Sequence, residues 1–262
     1  MKLDYSIYFP EIGQEIWHFK RLHRAMDLAK ELIYLLPEKA NGRIIRADFL
    51  SKAKGRFDRK WYALKGGVWM AISIYDEFLI EHSPLISLIF GLAMYRCANH
   101  FGINKAKIKW INDLHLNGKK IGGVLIEKFD HWYIAGIGLN VNNSIPSNIS
   151  ATSFKEILGK ELPIFQVLEN ILYWLRYYLG FLRFYERKKL EEENLTNLIV
   201  EDFKIFSDTI GRCVIYTHNL DKEEILAIGK VLDITEKGTL LIKDTSSKEI
   251  LEIFSGEIFY IL

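Results

Sequence analysis

Apolar residues recur at Leu28, Leu32, Leu35 and Leu36, one face of a helix over residues 27–36 that Pro37 and the Asn41-Gly42 pair end. Residues 16–19, Ile-Trp-His-Phe, either continue that helix or form a short strand. Residues 44–47 and 68–74 suit strands and are apolar enough to be buried on both faces. Helical spacing returns over 85–101, and Gly102 sits just past the end, where a left-handed backbone angle costs glycine least. Strands are then predicted at 108–110, 114–116, 121–126 and 132–141, with Asn117-Gly118 as a two-residue hairpin turn, so the middle of the chain is mostly antiparallel. Pro163 opens a long aromatic-rich helix through about residue 193, and a short helix over 195–206 follows. After Asp208 the period changes to two. Short strands at 213–216, 225–234, 240–242, 250–253 and 258–261 predict a small closed or nearly closed barrel, dividing the chain into domains 1–207 and 208–262.

Composition adds exclusions. With 49% apolar and 26% charged residues the 262-residue chain has an ordinary globular make-up, and a formal net charge of +2 implies neither a nucleic-acid nor a membrane partner. The apolar stretch 85–95 is too short to span a bilayer. Asp4 falls where a signal peptide needs its apolar run, and the two cysteines lie far apart, so the reading is cytoplasmic without a disulfide framework. Cys97 and Cys213 both read as small buried hydrophobes. Seven scattered histidines and no cysteine pair argue against a zinc site, and no phosphate-loop or nucleophile-elbow motif occurs.

Two stretches carry candidate chemistry. Residues 52–61 place five cations, Lys52, Lys54, Arg56, Arg59 and Lys60, around Gly55 and Asp58: an anion-binding loop or a solvated surface loop. Trp61 at its end either stacks on a base or belongs to the core. The second stretch runs Lys109-Trp110-Ile111-Asn112-Asp113, then Lys119-Lys120-Ile121-Gly122-Gly123. Lysines beside strands, a glycine pair and an Asn-Asp connection recur in nucleotide sites, yet each is also ordinary turn, hairpin or strand-crossing chemistry. Residues 136–142 add strand glycines ending in Asn140 and Asn142, without the helix a dinucleotide fingerprint requires.

In order and spacing these segments resemble biotin protein ligases. Lys54-Gly55-Arg56 and Arg59-Lys60-Trp61 are similar to that family's Gly-Arg-Gly-Arg-x-x-Arg-x-Trp loop, 109–113 to its Lys-Trp-Pro-Asn-Asp, 120–127 to its Lys-x-Ala-Gly-Ile-Leu-x-Glu, and 136–142 to its Gly-Ile-Gly-x-Asn-Val-Asn. The resemblance implies an α+β fold: a mixed sheet with helices, like the catalytic domain of class II aminoacyl-tRNA synthetases, plus a C-terminal SH3-like β-barrel. It also implies a strand at about 17–22 with the helix starting near Met26, and a monofunctional type without the DNA-binding domain of bifunctional members. The implied reaction uses ATP and Mg²⁺ to form biotinyl-5′-AMP from biotin as substrate, then transfers biotin to a lysine of a biotin carboxyl carrier protein domain. No nucleic-acid or membrane partner is implied; family members often pair as homodimers through a sheet edge.

By the same resemblance Lys120 and Arg56 are catalytic, Lys120 at the biotin carboxylate and α-phosphate and Arg56 at phosphate. Arg24, Ala25, Met26, Leu50, Lys54, Gly55, Gly122 and Gly123 fall at acid-binding positions. Arg59, Trp61, Lys109, Asn112 and Asn140 fall on the nucleotide side, with Asp113 as the Mg²⁺ residue. The departures are at the acid. Where the family has Ser-Thr-Asn or Ser-Thr-Met this chain has Arg24-Ala25-Met26, Leu50 replaces a glutamine, and Ala53 replaces the first loop glycine. Losing two or three polar contacts at about 1–3 kcal/mol each weakens biotin binding by roughly a hundredfold to a millionfold unless other groups replace them. A biotin ligase in which Arg24 or backbone amides take over those contacts is the first expectation. A ligase for a less polar acid such as lipoate or octanoate is the alternative raised by Ala25 and Leu50, and a non-catalytic ligand-binding homologue is the third.

Overall fold

The most apolar of the predicted strands pair side by side in the middle of one sheet. A computed structural model of the chain describes residues 6–189, 195–218 and 225–261. Strands β1 (Ile16–Phe19), β2 (Ile44–Ala47), β3 (Val68–Tyr75), β4 (Lys107–Lys109), β5 (Asp113–Leu116), β6 (Lys119–Phe129) and β7 (Trp132–Leu139) form a seven-stranded mixed sheet in the order β1-β2-β3-β7-β6-β5-β4. Only β1 and β2 run parallel, joined by the crossover helix α1 (Ala25–Leu35); every other pairing is antiparallel. The turn between β5 and β6 has Asn117 at φ 50° and Gly118 at φ 77°, the angles a two-residue hairpin demands.

β3 is buried on both faces because each is covered. Met70, Ile72 and Ile74 pack in the main core with helices α2 (Ser83–His100) and α4 (Ile164–Lys189), whereas Ala71 packs under α1. Helix α1 buries Ala25, Met26, Ala29, Leu32 and Ile33, positions three and four apart that share a face; each large side chain among them contributes about 1.5–3 kcal/mol of burial. A short α3 (Phe154–Leu158) and α5 (Leu198–Phe206) complete the helices. Strands β8 (Cys213–Thr217), β9 (Ala227–Ile234), β10 (Leu240–Asp244), β11 (Ile250–Ile253) and β12 (Glu257–Tyr260) make a second antiparallel sheet, ordered β11-β10-β9-β8-β12. It docks on the first unit through Trp110, whose backbone N–H reaches Thr209 Oγ1 at 3.0 Å and whose indole N–H points to Gly238 O at 3.4 Å.

Several expectations shift. Trp110 leaves its strand because its N–H is taken by Thr209 and its indole lies 3.4 Å from Gly238 O. Helix α5 begins at Leu198 rather than 195 because Asn197 caps it, its side chain accepting from Ile199 N. The ambiguous residues 16–19 are a strand, and α1 starts at Ala25. Cys97 is buried, but Cys213 is exposed: period-two alternation along β8 turns Val214 inward and Cys213 out. The expected end of α4 near residue 193 and the N-terminal residues 1–4 lie outside the described residues.

Candidate active site

Where α1, β6, β7, the 53–61 loop and β12 converge, the sheet face is left open as a cavity of about 320 Å³. Its first wall is the start of α1, with Arg24, Ala25 and Met26, opposite Leu50. Its second is the cationic loop, with Lys54, Gly55, Arg56, Arg59 and Trp61. The loop is a tight hairpin, since Trp61 N donates to Ala53 O and Gly55 N to Arg59 O at 2.8 Å. At its tip Phe57 (φ 55°) and Asp58 (φ 57°) both lie in the left-handed region, which costs a non-glycine residue about 1 kcal/mol or more.

The floor is β6 and β7. A Cβ on Gly123 would come within 2.7 Å of Asp113 Oδ1 and 2.9 Å of Lys120 Cε, so the bare backbone there is what lets these two side chains lie across the strand. Lys120 Nζ donates to Asp113 Oδ2 at 2.7 Å and sits 5.4 Å from the Trp61 ring centroid. Gly138 plays the same part for Trp61, whose indole carbons would lie 2.7 Å from a Cβ at that position. Trp61 meets Trp69 edge to face at 6.3 Å, and its indole N–H is buried without a partner. The backbone of Lys120 is clamped by the 150–152 segment, donating to Ser150 O and accepting from Thr152 N.

The remaining wall comes from the C-terminal sheet. Arg56 donates to Gly256 O at 2.6 Å, Arg59 pairs with Glu257, and Lys109 Nζ sits 5.0 Å from the Phe259 ring and 5.3 Å from that of Tyr260. Burial pulls Arg56 below its ordinary value, offset in part by Glu257 and Asp113. Burial likewise lowers Lys109, Asp113 opposing the shift and Lys120 adding to it. This end of the cavity therefore holds four closely spaced cations, Arg56, Arg59, Lys109 and Lys120, against two carboxylates, an arrangement primed for an anion.

Fourteen of the residues expected from the sequence line this cavity; Asn112, itself buried, and Asp113 are among them. Two do not. Gly122 points to the opposite face of β6, where a Cβ would meet Leu139 and Met94, because adjacent strand residues face opposite sides. Asn140 lies beyond the end of β7 and its Oδ1 accepts from Asn143 Nδ2 at 3.0 Å, so it braces the 140–143 turn. Gly256, Glu257 and Phe259 were not foreseen. Only a carboxylate near the C-terminus, opposite in charge to the 52–60 loop, signalled them.

The family model described as the biotin/lipoate A/B protein ligase family matches residues 21–142, which carry all of these walls except β12. A biotin protein ligase from Aquifex aeolicus, solved in complex with biotin and ATP, superposes with a TM-score of 0.76 at 26% identity over 95% of this chain and 99% of that one. Over that region the chain is similar to the biotin/lipoate protein ligases. The bifunctional ligase/repressor BirA of Bacillus subtilis is 27% identical over 258 residues, 94% of this chain and 74% of the relative. Biotin–protein ligase 2 of Arabidopsis thaliana is 31% identical over 128 residues, 44% of this chain and 38% of its own length. The Leishmania major biotin protein ligase in complex with biotinyl-5-AMP shares the fold, with a TM-score of 0.65 at 19% identity over 95% and 99% of the two chains. The α+β architecture of this chain, a seven-stranded mixed sheet plus a C-terminal antiparallel sheet of SH3-like type, is thus that of the biotin protein ligases. None of its described helices is long and apolar enough to cross a membrane.

Proposed function

We infer that this chain is an ATP-dependent biotin–protein ligase, which forms biotinyl-5′-AMP and passes the biotinyl group to a lysine of a carrier domain. The observation that carries this reading is the polarity of one cavity: Lys120, Asp113, Arg56 and Lys109 at one end, Ala25, Met26 and Leu50 at the other. An amphiphilic acid fits with its carboxylate toward Lys120. In the first step a carboxylate oxygen attacks the α-phosphorus of ATP and the bond from that phosphorus to the pyrophosphate oxygen breaks. Lys120 Nζ, 2.7 Å from Asp113 before substrate arrives, neutralises charge building on the α-phosphoryl oxygens. Arg56 and Arg59 hold the loop shut against β12 and keep water from the mixed anhydride. In the second step a neutral lysine amine attacks the acyl carbon, AMP leaves, and the amine proton is lost to solvent.

Trp61, with its ring over Gly138 and its N–H unpartnered, is assigned to the adenine, and Asn112 to the nucleotide. Mg²⁺ is tested by the donors present. Asp113 is the carboxylate beside Lys120, and no cluster of three or more His, Cys, Asp or Glu occurs among the described residues, so the site fits an ion carried mainly by nucleotide phosphates with Asp113 as its protein ligand. Bound there, Mg²⁺ supplies positive charge to the phosphates. The same reading divides the chain into a catalytic domain, 1–207, and an SH3-like barrel, 208–262.

Single-turnover release of pyrophosphate, with ATP and Mg²⁺ and biotin, lipoate or octanoate offered separately, tests the assignment. A burst with biotin is expected. A burst with lipoate or octanoate alone moves the substrate to the more apolar acid, and silence with all three sinks the enzymatic reading.

A further inference from the structure

Arg24 is held more firmly than a surface arginine needs to be. Its Nη1 donates to Asp27 at 2.9 Å, its Nη2 pairs with Glu127 and lies 3.4 Å from Met26 Sδ, and its side chain is only 17% exposed. Glu127 is in turn fixed from the other side by Lys30 Nζ at 2.7 Å. Burial opposes the charge on both partners, but their mutual bonds outweigh it, holding the Arg24 guanidinium above and the Glu127 carboxyl below their ordinary values. One donor is left over: Arg24 Nε is buried and has no partner. Arg24 lines the cavity beside Ala25, Met26, Leu50 and Leu125, side chains that are otherwise apolar.

We propose that Glu127 is a positioning residue that locks Arg24 across the apolar end of the acid pocket, so that Arg24 Nε–H selects an acid carrying a neutral hydrogen-bond acceptor at its far end. The charge balance sets the acceptor's type. Glu127 and Asp27 already neutralise the guanidinium, and a second carboxylate on the ligand would be buried without a counter-ion. A carbonyl oxygen satisfies the orphan donor without that cost, whereas an aliphatic tail leaves it unpaired. The inference rests on the acid site assigned above and deepens it. Biotin has such a carbonyl in its ureido ring; octanoate has nothing there. Glu127 reaches this end because it alternates with Gly123 and Leu125 on one face of β6, the strand whose other end carries Lys120. One strand thus serves both ends of the acid.

ATP–pyrophosphate exchange with biotin tests the idea in the full-length protein, comparing wild type, Arg24→Lys, Glu127→Ala, Glu127→Gln and the double variant Arg24→Lys/Glu127→Ala. Arg24→Lys and Glu127→Ala should each raise KM for biotin roughly 10- to 100-fold, the scale of a hydrogen bond from a charged group, with KM for ATP and inhibition by octanoate unchanged. The double variant should be no worse than Arg24→Lys alone, since Glu127 acts through Arg24. Glu127→Gln, which keeps the shape and one acceptor oxygen, should recover most of the wild-type KM and serves where Glu127→Ala does not fold. Additive losses, equal losses for biotin and octanoate, or an unchanged biotin KM in folded variants would overturn the proposal while leaving the ligase assignment intact. No exchange with biotin in the wild-type protein would remove the biotin reading itself, and the proposal with it.

Discussion

The two ends of the cavity are built by different means. At the Lys120 end, polar groups from β4, β5, β6, the 53–61 loop and β12 partner one another before any substrate arrives. At the Arg24 end the walls are aliphatic, and a single ion-paired arginine is anchored from behind by Glu127. The first end is electrostatically crowded and costly to build without an anion; the second is close to neutral and discriminates by shape and one donor. Chemistry and selectivity are therefore separable here, and substitutions should sort into those that slow the reaction and those that change which acid is taken.

The largest effect that would sharpen this contrast is at Lys120. Lys120→Ala should slow adenylate formation by about 10²–10³ in single turnover while leaving the melting temperature near wild type, because it removes a donor aimed at developing charge rather than a packing element. Gly138→Val comes next. Its branched side chain meets the Trp61 indole at 2.7 Å and should cost about 1–3 kcal/mol in urea unfolding and raise KM for ATP more than KM for biotin. A larger change for biotin would mean that Trp61 belongs to the acid end.

A third effect is conditional on pH. Burial raises the Asp208 carboxyl, but bonds from His115 and Tyr260 outweigh burial and bring it below its ordinary value of 3.8. Its stabilisation is therefore fully present above that value and lost as pH falls through the lower folded value. Asp208→Asn should be less stable than wild type at pH 7 by about 1 kcal/mol, and the gap in melting temperature should narrow and close as pH falls below 3.8 through the lower folded value. The smallest effect belongs to the Arg59–Glu257 pair, whose arginine is half exposed: Arg59→Ala should change global stability by less than about 1 kcal/mol. A loss several times larger would show that the loop contributes to the fold and not only to the cavity.

Most of the fold was legible because it depends on local period. Strand 44–47 and the hairpin at Asn117-Gly118 follow from alternation and turn chemistry, and α2 is apolar on every side because the sheet, α4 and α5 surround it. Of the candidate site, the motif residues Arg56, Trp61, Lys109, Asn112, Asp113 and Lys120 were visible because each sits in a short run that converges on one place. Three things were not visible. The side of β6 that Gly122 faces depends on a register shift between Leu114 and His115, which no composition rule reveals. The β12 wall requires the C-terminal sheet to dock, a tertiary event. The partner of Arg24 lies 103 residues away, so its orientation could not be read from neighbours.

The bond from Arg56 to Gly256 joins residues 200 apart in the chain. A polypeptide emerging from the ribosome N-terminus first will already have folded α1, β6 and the cationic loop while β12 is still unmade. Throughout that interval the pocket has a floor and two walls but stands open along one side, and any adenylate formed in it would meet water. Completion of β12 thus acts as a clock: the nascent protein becomes competent to keep a reactive intermediate only when that strand is in place.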